Sequence, residues 1–385
     1  MDSDAISFVS LGMLVLDELH LPSGRVLRDG IGGSGAWSML GARIATGPRD
    51  AKQVGSFIVA GHDFPESAAQ AIRELGVTLE MVVDPTREST RGKLVYHDEA
   101  FNNKTFNYLT TPLQPTPAQL PRNLLAAKAF HMLLPPEAVM IQVPELLRRR
   151  KEAGIGALPL LVWEPLPWKC TPENMEAHKA ACKLVTVFSP NHLELLGLYG
   201  IAKTNSTEES IRQSPEDRVE SQQTVIERCA AELLGGVAAD GWQGMLVVRA
   251  AEMGCFAKSA SGLSRSFRPY HKDQKIVVDA TGAGNAFLGA LAVSLVAAAQ
   301  KNPGRATQQQ AVVMMVAVPA NGDAIQISDA IVRASVVASF VIEQIGLPCR
   351  TSVEGANGEE QWNGDTFRAR YERMADVTSG GLLSS

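Results

Sequence analysis

The sequence has no pair of cysteines spaced for a metal, no excess of basic charge and no uninterrupted apolar run long enough to cross a bilayer. The five cysteines, Cys170, Cys182, Cys229, Cys255 and Cys349, are odd in number and far apart. Such spacing argues against both a disulfide framework and a structural zinc site, so reduced, buried thiols are expected. With 36 basic and 41 acidic side chains in 385 residues the formal net charge is −5. No electrostatic footprint is left for a nucleic acid or an anionic membrane surface. The opening MDSDAISFVSLG carries two acids where a secretory signal would be basic. The longest apolar stretch, Ala286 to Ala299, reads as a buried helix. A cytoplasmic protein with neither nucleic acid nor membrane as partner is expected.

Short β-rich runs recur along the chain: AISFVSL from Ala5, QVGSFIVA from Gln53, KAFHMLL from Lys128, ALPLLVW from Ala157, KLVTVF from Lys183 and GMLVVRA from Gly244. Between them lie segments of helical period, such as Ala36 to Ile44, Glu66 to Leu75, Val143 to Ala153, Glu173 to Ala181 and Thr224 to Leu234. Alternation of this kind predicts an α/β fold, a mostly parallel central sheet with helices on both faces. Two stretches break it. Residues 17–30 and 91–110 alternate polar and apolar positions around turn formers and read as a small inserted β-flap, or lid. Core segments are then expected at 1–16, 31–90 and 111–355. Residues 203–223 hold almost no large apolar side chain and read as a mobile polar loop. Residues 300–310 read as a second polar insertion, and 356–385 as a polar C-terminal tail with one helix-like piece, DTFRARYERM.

One motif is strong. From Ile276 to Ala290 the chain reads IVVDATGAGNAFLGA: a β-branched strand end, an acid, a tight small-residue loop and a long helix. A Gly-rich turn at a helix start leaves backbone N–H groups unpaired at the positive end of the helix dipole, which makes an anion hole. Gly282, Ala283 and Gly284 are placed to supply those amides.

This string resembles the signature of the pfkB (ribokinase-like) carbohydrate kinases, D-T-x-G-A-G-D followed by a Phe-containing helix. Asp279, Thr281, Gly282, Ala283, Gly284 and Phe287 keep register with it, and Asn285 departs from it. The resemblance implies a ribokinase-like fold and a nucleotide-dependent kinase. It further implies that the residue closing the motif takes a proton from the acceptor alcohol. An asparagine amide has no titratable carboxylate and cannot do this. The combination of Asn285 with an aromatic residue at Trp37 is similar to a divergent fungal branch of the family.

Further landmarks follow in order. The resemblance makes Asp17 a substrate-contacting acid, where a turn or cap aspartate is the alternative. In IGGSGAWSMLG, Gly33 matches the hinge element and Trp37 stands where a sugar-binding asparagine is usual; a core tryptophan at a helix start is the plainer reading. Asp63 matches a second-strand acid. Glu164 ends the strand LPLLVW, at the sheet edge where open α/β proteins bind ligands. Asn191 and Glu194, one helical turn apart, match an element that holds magnesium-bound water, and a helix start with Glu in its first turn explains them equally. On the nucleotide side Gly254 fits, while Arg249 is either a cation that compensates phosphate or a solvated strand-end charge. Ser335 and Ala338 lie on a small-residue helix that the family sets beside adenine, and core packing accounts for the same residues.

Three functions are compatible with these residues. The leading one is an ATP- and magnesium-dependent kinase acting on an alcohol of a sugar-like or other small metabolite, slowed by Asn285. The others are a pseudokinase that binds nucleotide or metabolite, and an enzyme that turns the anion hole on a substrate without phosphoryl transfer. A homodimer through the β-flap is the expected assembly.

Overall fold

A computed structural model describes residues 5–99, 101, 103–201, 215–260, 262–300, 323–352 and 359–379. The first half runs β1 (Phe8–Ser10), β2 (Val15–His20), β3 (Val26–Gly32), α1 (Gly33–Thr46), β4 (Val54–Gly61), α2 (Glu66–Glu74), β5 (Thr78–Asp84), β6 (Arg91–Tyr96) and β7 (Lys104–Tyr108). It continues through α3 (Arg122–Leu125), β8 (Ala129–Leu133), α4 (Pro136–Glu152), β9 (Leu160–Glu164), α5 (Met175–Cys182), β10 (Val187–Phe188) and α6 (His192–Leu198). The second half holds α7 (Pro215–Ala239), β11 (Met245–Arg249), β12 (Cys255–Ser259), β13 (Ser264–Phe267), α8 (Ala283–Gln300) and α9 (Asp323–Val341). The chain closes with β14 (Arg350–Ser352), β15 (Glu360–Trp362), β16 (Asp365–Thr366) and α10 (Phe367–Ser379).

Nine strands form the main sheet in the order β13-β12-β11-β10-β9-β8-β1-β4-β5. It is parallel from β11 to β5, and β12 and β13 add an antiparallel edge. The six apolar runs supply its six central strands, because a sheet covered on both faces needs apolar residues on both. Alternation along each strand divides them: Leu160 and Val162 of β9 face one core with α1, α8 and α9, and Leu161 and Trp163 face the other with α4, α5 and α7. This is the ribokinase-like α/β fold.

Two helices, Ala283–Gln300 and Ala324–Val341, are long and apolar enough to cross a membrane, but 67% and 56% of them is buried inside the protein. Their apolar surface faces the core.

The flap is a four-stranded sheet, β3-β2-β6-β7, whose central pair β2 and β6 is parallel. It begins two residues earlier than its alternation suggests and ends two later, since Val15 pairs with Gly32.

Two expectations need correction. Of the polar stretch 203–223, residues up to 214 lie outside the described residues, and 215–223 are helical, as the first turns of α7. Ile226, Cys229, Ala230 and Leu233 anchor the later turns of this helix in the core. Of the second polar insertion, Gln300 closes α8 and 301–310 lie outside the described residues. The end of the chain is also more than a polar tail. Trp362 is buried, and Glu360 accepts two hydrogen bonds, 2.7 and 2.9 Å, from the buried guanidinium of Arg43. Sequence composition cannot show this pair, because its members lie 317 residues apart.

Glu360→Gln keeps the shape and removes the charge opposite Arg43. We expect it to cost about 1–2 kcal/mol, the value of a charge-assisted bond, in denaturant unfolding. Unchanged stability would show that the segment is not anchored there.

Candidate functional site

The carboxyl ends of β1, β8, β9 and β11 bring polar side chains to the start of α8. Glu164, buried at the end of β9, is the hub. It accepts from Asn285 Nδ2 at 2.5 Å, Arg249 Nη1 at 2.7 Å and His131 Nε2 at 3.3 Å. A carboxylate only accepts, so His131 holds its proton on Nε2, and Nδ1 receives the Ser10 hydroxyl, 3.0 Å away. The same rule turns the Asn285 amide nitrogen toward Glu164 and its carbonyl oxygen away. Burial pushes the Glu164 carboxyl up, but the Arg249 charge and the His131 hydrogen bond outweigh it and hold it below its usual range.

Arg249 is therefore no solvated strand-end charge. It is 12% exposed, its Nη2 donates to Ser189 O at 2.9 Å, and Glu194 Oε2 lies 3.6 Å from that nitrogen. Its guanidinium lies against the motif: a Cβ at Gly284 would stand 2.1 Å from Nη1, so a side chain there would have to displace the clamped guanidinium.

Asn191 and Glu194 form a capping box. Asn191 Oδ1 accepts from Glu194 N at 2.9 Å, and the Glu194 carboxylate accepts from Asn191 N and Nδ2, both at 2.7 Å. Burial raises Glu194 to about 7 against the pull of Arg249. These residues do not fit magnesium, which needs free carboxylate oxygens and no cation alongside. Among the described residues no group of three His, Cys, Asp or Glu side chains is arranged for a metal.

Asp279, buried before the loop, accepts from Thr281 N at 3.0 Å and Thr281 Oγ1 at 2.7 Å. The flap completes its shell: Tyr96 Oη donates at 2.6 Å and Lys104 Nζ at 2.7 Å, and Lys104 also reaches Thr281 Oγ1 at 2.5 Å. Tyr96 and Lys104 are paired across β6 and β7 and so share a face. Lid and motif are tied together through Asp279.

Gly282, with φ of 80°, takes a left-handed turn that places the Trp37 indole where a Cβ would be, 2.2 Å from Cδ2. Trp37, on α1 after the tight Gly33 turn, is buried against the loop. Among the described residues the N–H groups of Gly282, Gly284 and Asn285 have no protein acceptor, while that of Ala283 makes a long turn bond, 3.3 Å, to Ala280 O. Ala283 and Gly284 form one end of a cavity of about 290 Å³ that Arg249, Gly254, Ser335 and Ala338 also line. That is the small end of ligand-pocket size. The five residues assigned to the nucleotide side beyond the capping box separate into Arg249, Gly254, Ser335 and Ala338, which meet at this cavity, and Thr281, which turns toward the lid.

The substrate-side assignments scatter. Asp63 holds the base of the flap: it accepts from Ser89 N at 2.6 Å and from Arg91 at 2.9 and 3.0 Å. Burial raises its carboxyl, but Ser89 and Arg91 overcome this and bring it to about 2. Its oxygens are committed to the lid hinge. Asp17, on the flap strand β2, has a buried Oδ1 with no partner among the described residues, and burial raises its carboxyl to about 7. Sequence reasoning missed Lys104, Tyr96 and His131. A histidine inside the apolar strand KAFHMLL was the available signal for the last, since a buried polar group must find a partner; the lid pair had none.

A raised acid penalises the folded state as pH climbs. Below about pH 4 Asp17 is neutral folded and unfolded; between 4 and 7 the unfolded chain ionises first, and stability is lost. Asp17→Asn should therefore unfold nearly like the parent at pH 4 and be more stable at pH 8, by about 4 kcal/mol. Parallel curves at all pH values would contradict the assignment. Because Glu194 titrates in both proteins, the difference isolates Asp17.

The chain is similar to known proteins over most of its length. A model of the pfkB family carbohydrate kinases matches residues 27–348. An uncharacterized protein of Schizosaccharomyces pombe is 29% identical, covering 99% of this chain and 97% of that one. Protein MAK32 of Saccharomyces cerevisiae is 25% identical, covering 94% of this chain and 90% of its own length. Ribokinase from Giardia lamblia superposes with a TM-score of 0.63 at 14% identity, over 89% of this chain and 94% of that structure. Ribokinase from Cryptococcus neoformans in complex with ADP gives 0.59 at 15% identity, over 96% and 99%. The structural likenesses carry the fold, and the family match carries membership: this chain belongs to the pfkB family of carbohydrate kinases.

Proposed function

We propose that the protein binds a purine nucleotide with two or three phosphates in the cavity beside α8 and transfers its phosphoryl group only slowly. One observation carries the reading: Gly284, whose N–H is unpaired among the described residues, lines the same cavity as Arg249 and the small residues Gly254 and Ala338. Amides at a helix N-terminus and a guanidinium suit phosphate oxygens, and the small side chains leave room for a flat base. Slowness follows from Asn285. Its amide nitrogen is held by Glu164, its carbonyl can accept a hydrogen bond from an alcohol, and neither takes a proton. Loss of general-base assistance costs about 10²- to 10⁴-fold.

The test is calorimetric titration of ADP into the full chain and into Ala338→Trp, which fills the cavity. Binding by the first and not the second is the expected result. Equal binding by both, or none by either, would overturn the reading.

A second reading, an active kinase that uses Asp17 as its base, is favoured by the unpartnered Oδ1 and raised carboxyl of that residue. It requires Asp17→Asn to abolish ADP formation from ATP with a panel of sugars and polyols. In the slow-transfer reading the variant keeps the parent's rate.

A further inference from the structure

The residues expected to hold magnesium do not suit it, and a side chain of the protein stands beside them. Arg249 takes its place between two buried acids, 2.7 Å from Glu164 Oε1 and 3.6 Å from Glu194 Oε2. Glu194 is further committed, because both carboxylate oxygens accept from its own helix cap. A divalent ion here would have to displace a guanidinium that is itself held by the Ser189 carbonyl. The repulsion between that fixed cation and an incoming one, in a buried setting, opposes the exchange.

Arg249 also retains unused capacity. Its buried Nε has no hydrogen-bond partner among the described residues, an uncommon state for a charged donor. The same side chain lines the cavity and lies against Gly284, whose N–H is unpaired. A phosphate oxygen in this cavity would stand beside both the guanidinium and the orphan N–H of the loop.

We infer that Arg249 is a built-in cation for the polyphosphate, so that this protein binds its nucleotide without magnesium. The inference rests on the nucleotide reading above and deepens it. Glu164 and Glu194 are positioning residues in this scheme: they hold the guanidinium in place at the cavity. A side chain at Gly284 would push on that guanidinium, since its Cβ would meet Nη1.

The experiment is titration of ADP into the full-length protein, once with excess EDTA and once with excess magnesium. Dissociation constants that agree within about threefold are expected, and tightening by magnesium beyond that factor overturns the inference while leaving the nucleotide reading intact. Absence of binding in both buffers overturns both. The comparison uses the unaltered chain, so it does not depend on any variant folding. As a second arm, Arg249→Met should weaken ADP binding in EDTA by more than about tenfold, the usual size of a lost charge-assisted contact to phosphate. An Arg249→Met protein that binds ADP in EDTA as tightly as the parent contradicts the role assigned to the guanidinium. If that variant does not fold, Arg249→Lys serves instead: it keeps the charge, loses the planar fork, and should lie between the two.

Discussion

Asn285→Asp combined with Glu164→Gln should form ADP from ATP about 10²- to 10⁴-fold faster than the parent, the range attributed to a general base, whereas Asn285→Asp alone should not. The reason is the 2.5 Å contact between Asn285 Nδ2 and Glu164 Oε2. An aspartate in that place would press one carboxylate against another, and two acids so close retain a proton between them. The shared proton either neutralises the new base or removes the partner of Arg249. Exchanging Glu164 for glutamine reverses the polarity of the pair: the new amide donates to the new carboxylate, which stays ionised and faces the cleft. The measurement is ADP release with ATP and magnesium supplied, using both water and a panel of polyols as acceptors. A parallel readout needs no acceptor, because between about pH 5 and 8 the single variant should lose more stability than the parent and the double variant should not. A single variant as fast and as stable as the double one would show that Glu164 does not govern residue 285.

Glu164→Ala should be the most damaging single substitution at the site, at about 3–5 kcal/mol in denaturant unfolding, the usual cost of stranding one member of a buried ion pair. Glu164 neutralises Arg249 and satisfies donors from His131 and Asn285 at once. Its removal takes the charge partner from the largely buried guanidinium and the acceptor from the buried His131 and from Asn285 at once. Glu164→Gln, which keeps one acceptor oxygen, should cost distinctly less. If alanine costs under about 1 kcal/mol, the cluster is not the connected unit described here, since surface pairs have values of that size.

Much of the fold is legible because its determinants are local. Runs such as QVGSFIVA and LPLLVW are apolar on both alternating sets of positions, which only a doubly covered strand requires. The turn IVVDATGAGNAFLGA announces a loop and a helix within fifteen residues, but the strand end expected at its start is a 3-10 turn, Gln274–Ile276, followed by chain outside any sheet. Alternating polarity likewise marks the flap, although its outer limits depend on the pairing of Val15 with Gly32, which no single strand can reveal. The polar start of α7 escapes local reading because its helix is stabilised by core contacts from Ile226 onward, beyond the polar segment itself.

The candidate site is legible as a set of positions and much less so as a set of interactions. Gly254, Ser335 and Ala338 do converge with Gly284 on one cavity. What those positions do there depends on partners far along the chain. Arg249 and Glu164 are 85 residues apart, Lys104 and Asp279 are 175 apart, and charge alone does not tell a solvated arginine from one clamped by two acids. Asn191 and Glu194 illustrate the same limit, since identical spacing serves a metal or a helix cap. The choice is made by Arg249, which comes from another strand.

The central claim is that an anionic ligand sits on the free backbone amides of the α8 start. Amide proton and nitrogen shifts of Gly282 and Gly284, followed in isotope-labelled full-length protein as ADP is added, test it most directly. Large, saturable movements of both signals, with the Arg249 side-chain resonance moving in step, are the expected result. Signals that stay in place while ADP binds elsewhere, or while it fails to bind a folded chain, would contradict it.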